Sequence, residues 1–131
     1  MDQTKAMEIF RKIVGGSVVL SPVGRIELTT ADVFRDELLA SLTLVGERSE
    51  AGAVVVDCSH LDYVSSAGLR ALVIAARKAN GHGLGVAAMQ PVVREIYAIS
   101  RFDTIVTAFE TVRDALAKLD PSALDHLATT P

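Results

Sequence analysis

The run Ala53-Val54-Val55-Val56 contains no polar residue and no alternation of polar with apolar positions. A strand with one face in water would alternate, so this segment reads as a strand covered on both faces, the expected state of a central strand in a parallel sheet. A short polar loop follows from Asp57, and Ser65 and Ser66 sit where a helix should begin. From about Ala67 to Asn80, Leu69, Leu72, Val73 and Ala76 recur at the i, i+3, i+4, i+7 spacing of a helix with one buried stripe, leaving Arg70, Ile74, Arg77 and Lys78 on the exposed face. Gly81 stands ready as the residue that ends this helix.

The rest of the chain repeats the alternation of strand and helix. Between Ile9 and Pro22 β-branched residues cluster around Gly15-Gly16, the signal of an antiparallel hairpin. Gly24 to Glu27 makes a second tight connection, and Thr29 or Thr30 is placed to cap a helix from about Ala31 to Leu44. Asp32 suits the first turn of that helix, with Val33, Phe34, Leu38 and Leu42 toward the sheet and Arg35, Asp36 and Glu37 outward. Gly46 to Gly52 reads as a mobile polar loop, and Leu84 to Met89 as a buried strand. Pro91 opens a short helix to about Ser100, Thr104 to Phe109 is the last strand, and Thr111 to Leu119 the last helix, with Val112, Ala115, Leu116 and Leu119 inward.

The expected fold class is therefore α/β: one domain over residues 1–119 with a mixed, largely parallel β-sheet, an N-terminal antiparallel hairpin at one edge and about four helices. Met1 to Lys5 reads as a frayed lead. Residues 120–131 read as a loose tail with a weak helical hint at Leu124 to Leu127.

Composition narrows the function. At 131 residues the chain can bury roughly two-thirds of its unfolded surface without help from metal or disulfide. A net charge of −3 with scattered cations offers no general attraction to nucleic acid or an anionic membrane. Cys58 is the single cysteine, no signal peptide is recognisable at the N-terminus, and no apolar run approaches the about 20 residues of a membrane span, so a cytoplasmic protein is expected. Three separated histidines and one cysteine form no metal cluster, and no cofactor is expected.

Ser66 falls at or near the N-cap of the helix after the central strand, where backbone N–H groups lack intrahelical partners. A hydroxyl there can simply cap the helix, worth about 1 kcal/mol. It can also accept a phosphate, because a helix N-terminus accommodates about −1.5 to −2 charges without disruption. Ala67 and Gly68 leave the backbone beside it open to close approach.

The string from Asp57 to Arg70, DCSHLDYVSSAGLR, resembles the signature of the STAS domain family, in particular the bacterial anti-sigma factor antagonists. Upstream, Gly24 to Ala31 (GRIELTTA) is similar to that family's segment before its first helix, and the resemblance covers about residues 8–119. It implies a regulatory binding protein, not an enzyme. The dephosphorylated form would bind a serine kinase anti-sigma factor, ATP-dependent phosphorylation of one serine would end the complex, and a PP2C-type phosphatase would restore it. Setting Gly68-Leu69 on the family's Asp-Ser-Ser/Thr-Gly-Leu pattern places Ser66 at the phosphoacceptor, with Ser65 at the aspartate and Ala67 at the second hydroxyl. Ser65 is the second choice as acceptor. The implied partner surface comprises Ser65, Ser66, Gly68, Arg70, Ile74, Arg77 and Lys78, and a homodimer is compatible with it.

Competing readings are a STAS module of another assembly, stressosome-like or lipid-transporting, without phosphorylation, and a hydrolase using Ser66, His60 and Asp57 or Asp62. The latter lacks the Gly-x-Ser-x-Gly pattern of a nucleophile elbow. A receiver domain phosphorylated at Asp57 would need an acidic pair after the first strand, where only Glu27 is offered. On the helix, Arg70, Ile74, Arg77 and Lys78 are either a solvated face or a strip whose cations steer an acidic partner.

Overall fold

A computed structural model describes residues 7–79 and 81–127. Strands β1 (Met7–Val14) and β2 (Ser17–Ile26) form the antiparallel hairpin, turning at Gly15-Gly16, with Gly15 at a φ of +62° that side chains rarely tolerate. Helix α1 (Ala31–Arg48) leads to β3 (Ala53–Asp57), β4 (Leu61–Val64) and helix α2 (Ser66–Lys78). Strand β5 (Gly83–Ala87), helix α3 (Pro91–Ile99), a 3-10 turn at Phe102–Thr104, strand β6 (Thr107–Phe109), helix α4 (Val112–Leu119) and a second 3-10 helix, Pro121–His126, complete the described chain.

The strand order is β1-β2-β3-β5-β6, with every pair after the hairpin parallel, so the hairpin lies at one edge and β3 at the centre as its unbroken apolar run requires. Val54 and Val56 point into one core with Phe34, Leu38 and Val45 of α1, Leu69 and Leu72 of α2, and Val93 and Tyr97 of α3. Val55 points the other way, to Val14, Val19, Ala115, Leu116 and Ala123 under α4 and the second 3-10 helix. Each face of β3 therefore needs its own helical layer.

Several expectations are corrected. Helix α1 continues to Arg48, so Gly46 to Arg48 are helical and only 49–52 remain as a connection; Arg48 suits a last turn and its guanidinium donates to Gly15 O at 3.1 Å. Val33 is 53% exposed, because the buried stripe of α1 runs through Ala31, Phe34, Leu38, Ser41, Leu42 and Val45 instead. Thr30 occupies the N-cap, yet its hydroxyl turns back to accept from Glu27 N at 2.9 Å rather than capping the helix. In α2 the fully buried residues are Gly68, Leu69, Ala71, Leu72 and Ala75, with Val73 and Ala76 half-buried at the margin. That helix ends at Lys78, and Asn80, where it was expected to end, lies outside the described residues, as do Met1 to Lys5. The last strand is confined to Thr107–Phe109; Val106 is buried while Ile105 is 49% exposed, since the 3-10 turn at Phe102 breaks the extended run.

The tail is not loose over its described part. Asp120 is 2% exposed, and its carboxylate accepts from Ser17 Oγ at 2.6 Å and from Ser122 Oγ at 2.8 Å. Ser17 Oγ in turn accepts from Ala53 N at 2.9 Å, so one buried network ties residue 120 to the starts of β2 and β3. Beyond it Ala123 is fully buried, while residues 128–131 lie outside the described residues. Asp120→Ala is expected to lower stability by about 1–3 kcal/mol by leaving the buried Ser17 hydroxyl without its acceptor, read as a fall in the urea midpoint at unchanged m-value; a midpoint equal to the parent's would contradict the role of this network.

Candidate functional site

The loop after β3 is ordered by its own polar groups. Asp57 Oδ1 accepts from Ser59 N at 3.0 Å, as a short carboxylate does when it closes a turn. Cys58 N donates to Ala87 O at 2.9 Å, tying the loop to β5, and Ser59 Oγ lies 3.1 Å from His60 Nδ1. The chain then forms β4, read from the sequence as loop, which pairs in parallel with the end of β2 from Gly24 to Ile26. The sequence holds a signal for it, since Leu61 and Val64 are buried and Asp62 between them is exposed, but four residues are too few to separate a strand from a turn by period alone. Arg25 of β2 sits 4.5 Å above the ring of Tyr63 and pairs with Glu27 at 2.8 Å, fastening the two strand ends together.

Ser65 follows directly, and each of its polar groups is used. Its N–H donates to Ile26 O at 2.8 Å, its carbonyl accepts from Leu69 N at 3.0 Å, and its hydroxyl accepts from Gly68 N at 3.2 Å. Ser65 is therefore the N-cap of α2, and Ser66 is the first helical residue, exposed, with no hydrogen bond from its hydroxyl among the described residues. Gly68 is buried. A Cβ on it would lie 2.7 Å from both Ile26 Cγ2 and Val64 Cγ2, so α2 can approach the ends of β2 and β4 only where that residue has no side chain. The residue read as open to a partner is turned to the core.

The exposed face of α2 separates grooves on its two sides. One, of about 440 Å³, is lined by Ser66, Arg70, Val73, Ile74, Arg77 and Phe102 of the 3-10 turn. The other, of about 290 Å³, lies against α1 and includes Leu28, Asp32, Arg35, Ala67, Arg70 and Ile74. Arg70 and Ile74 thus form a ridge shared by both grooves, with Ile74 half-buried rather than fully exposed. Lys78 lines a third depression at the far end of α2 with Leu42 and His82, away from Ser66. Two apolar contributors escaped the sequence reading. Leu28 is 78% exposed although it stands in a polar capping segment, and Phe102 reaches the groove through the 3-10 turn that broke the expected strand.

The residues of a hydrolytic triad are not brought together. His60 precedes β4 and Ser66 follows it, so the four strand residues, rising about 3.3 Å each, and Ser65 stand between them, and Asp62 accepts from Gln90 Nε2 at 3.3 Å. Among the described residues no group of three or more His, Cys, Asp or Glu is placed to hold a metal ion.

The family profile described as Mlab, STAS domain, matches residues 9–107. BtrV of Bordetella bronchiseptica, named as an anti-sigma factor antagonist, is 32% identical over 121 residues, covering 90% of this chain and 98% of the relative. Among solved structures, an anti-sigma factor antagonist from Mycobacterium paratuberculosis has a TM-score of 0.75 at 24% identity, covering 86% of this chain and 93% of that one. The anti-sigma factor antagonist SpoIIAA in its unphosphorylated form has a TM-score of 0.69 at 14% identity, covering 87% and 97%, and SpoIIAA of Bacillus in the phosphorylated form has a TM-score of 0.60 at 13% identity, covering 85% and 98%.

This packing has measurable consequences. Gly68→Ala is expected to cost about 1–3 kcal/mol in urea unfolding, because Ile26 and Val64 cannot both retreat, and Ser65→Ala about 1 kcal/mol for the lost cap; a neutral Gly68→Ala would contradict the close approach. Burial, reinforced by the Asp57 charge and only partly offset by a hydrogen bond involving Ala87, pushes the Cys58 thiol up to about 12 from 9.0. A thiol-specific reagent at pH 8 should therefore react with native protein about a thousandfold more slowly than with unfolded protein. Because the folded value is the raised one, this contribution to stability is intact below pH 9 and declines as pH climbs from 9 toward 12.

Proposed function

Since this chain belongs to the STAS domain family, we propose that it is an anti-sigma factor antagonist which works in the cytoplasm by binding rather than catalysis and is switched by phosphorylation of Ser66. The observation that carries the choice of residue is the division of labour at the start of α2. Ser65 spends its hydroxyl on the cap, whereas Ser66 presents a free hydroxyl to solvent at the first helical position.

The chemistry follows from that position. In the dephosphorylated form Ser66 and the Arg70-Ile74-Arg77 face of α2 meet a serine kinase anti-sigma factor, which gives up its sigma factor in exchange. The kinase transfers the γ-phosphoryl of ATP to Ser66 Oγ, the hydroxyl proton leaves, and ADP departs. The new charge of about −1.5 to −2 sits at the positive end of the α2 dipole, where it does not oppose the fold, and adds bulk and charge to the contact surface. A PP2C-type phosphatase hydrolyses the phosphoester and restores binding. The relatives support this reading, since BtrV is named for the same role and SpoIIAA exists in both phosphorylated and unphosphorylated forms. No helix among the described residues is long and apolar enough to cross a membrane.

Incubation with ATP and the anti-sigma kinase, followed by peptide mapping in the mass spectrometer, is expected to locate phosphate on Ser66, to find none in Ser66→Ala, and to find it retained in Ser65→Ala. Phosphate on Ser65 alone, or no incorporation, would defeat the assignment. Ser66→Asp should weaken kinase binding by about tenfold, roughly 1.4 kcal/mol, with an unchanged far-UV circular dichroism spectrum.

A further inference from the structure

We propose that the groove between α2 and the 3-10 turn at Phe102 receives an acidic amphipathic helix of the partner, and that phosphate on Ser66 closes this site by taking Arg70 away from it. The inference rests on the reading of α2 as a partner-binding face and specifies what that face recognises.

Arg70 and Arg77 are seven residues apart on α2, two turns or about 10.5 Å, and Val73 and Ile74 fall between them on the same side. The groove wall thus reads cation, apolar, apolar, cation along one line, with the Phe102 ring opposite. None of the residues lining it is acidic, and neither arginine forms an ion pair among the described residues, although Arg11, Arg25, Arg35 and Arg94 all do. Arg35, on the α1 side, is held by Asp32 and Asp36 at 3.2 Å each, and Asp32 itself lines that groove with Arg70, so the groove lined by two arginines without an ion pair among the described residues and by no carboxylate is the one on the Phe102 side. A helix with carboxylates seven residues apart and two large apolar residues between them complements that line in both charge and shape.

Ser66 is four residues before Arg70, and both line the same groove. Side chains four apart on a helix are neighbours, at about 5–6 Å between Cβ atoms, and a phosphoserine oxygen is a strong acceptor for a guanidinium. The phosphate and the partner's first carboxylate therefore compete for one group. Under this arrangement the modification acts first by removing an attractive contact.

The test uses a fluorescein-labelled, hydrocarbon-stapled 15-residue helical peptide with Glu at positions i and i+7 and Leu at i+3 and i+4, titrated by anisotropy against the full chain. Binding is expected to weaken by about tenfold or more in Arg70→Glu, in Arg77→Glu, and when both peptide Glu are replaced by Lys, but to stay unchanged in Arg35→Glu. Phosphoserine installed at position 66 by codon reassignment should also weaken binding by about tenfold in the parent, yet by less than about twofold in an Arg70→Gln background. Equal affinity for the Lys peptide, or an unaffected Arg77→Glu, would overturn the groove assignment. A phosphate effect of the same size with and without Arg70 would overturn the competition. The titration needs no kinase, so its failure leaves the Ser66 labelling result standing, and a failure of labelling leaves the groove result standing.

Discussion

The arrangement depends on how closely the first turn of α2 approaches the ends of β2 and β4. Gly68 rests against Ile26 and Val64 with no room for a side chain, and Ser65 beside it is held through its N–H, its carbonyl and its hydroxyl. These contacts set the height and direction of the helix together. Once they are made, Leu69, Leu72 and Ala75 fall into the core on β3, and Ser66, Arg70 and Arg77 are left on the surface. A shift of one residue would bury the free hydroxyl and expose the leucines, so the register of the core and the presentation of the site are one constraint.

The second support lies at the opposite end of the sheet. The buried carboxylate of Asp120 joins Ser17, at the start of β2, to the turn after α4, while Ser17 Oγ also accepts from Ala53 N. A carboxylate this buried needs its hydrogen bonds supplied by the protein, and here two hydroxyls supply them. Remote from α2, this network holds the strand starts in line, while the Gly68 contact and the Arg25–Tyr63 stack hold the strand ends.

Much of this was legible in the chain. The central place of β3 and the parallel pairing follow from the unbroken apolar run at Ala53 and from alternating elements after it, and the hairpin from Gly15-Gly16. The short elements are hidden by their length. Strand β4 is four residues, the turn at Phe102 three, and the 3-10 helix at Pro121 six, all too short for periodicity to declare a type. The extension of α1 through Gly46 was hidden because glycine and charged residues look like loop unless the preceding turns pack well enough to carry the helix onward.

By itself the sequence determined the fold class, the central strand, the family signature and the neighbourhood of the two serines, because these depend on local pattern and residue type. Tertiary structure alone decided which serine caps and which is free, since the cap belongs to the residue whose N–H is caught by Ile26 O, a bond between segments 39 residues apart. It also turned Gly68 inward, parted Lys78 from Arg70 and Arg77, and brought Phe102 against α2. Each of those outcomes depends on how helices seat against a sheet and one another, a relation between distant segments that no single stretch of chain encodes.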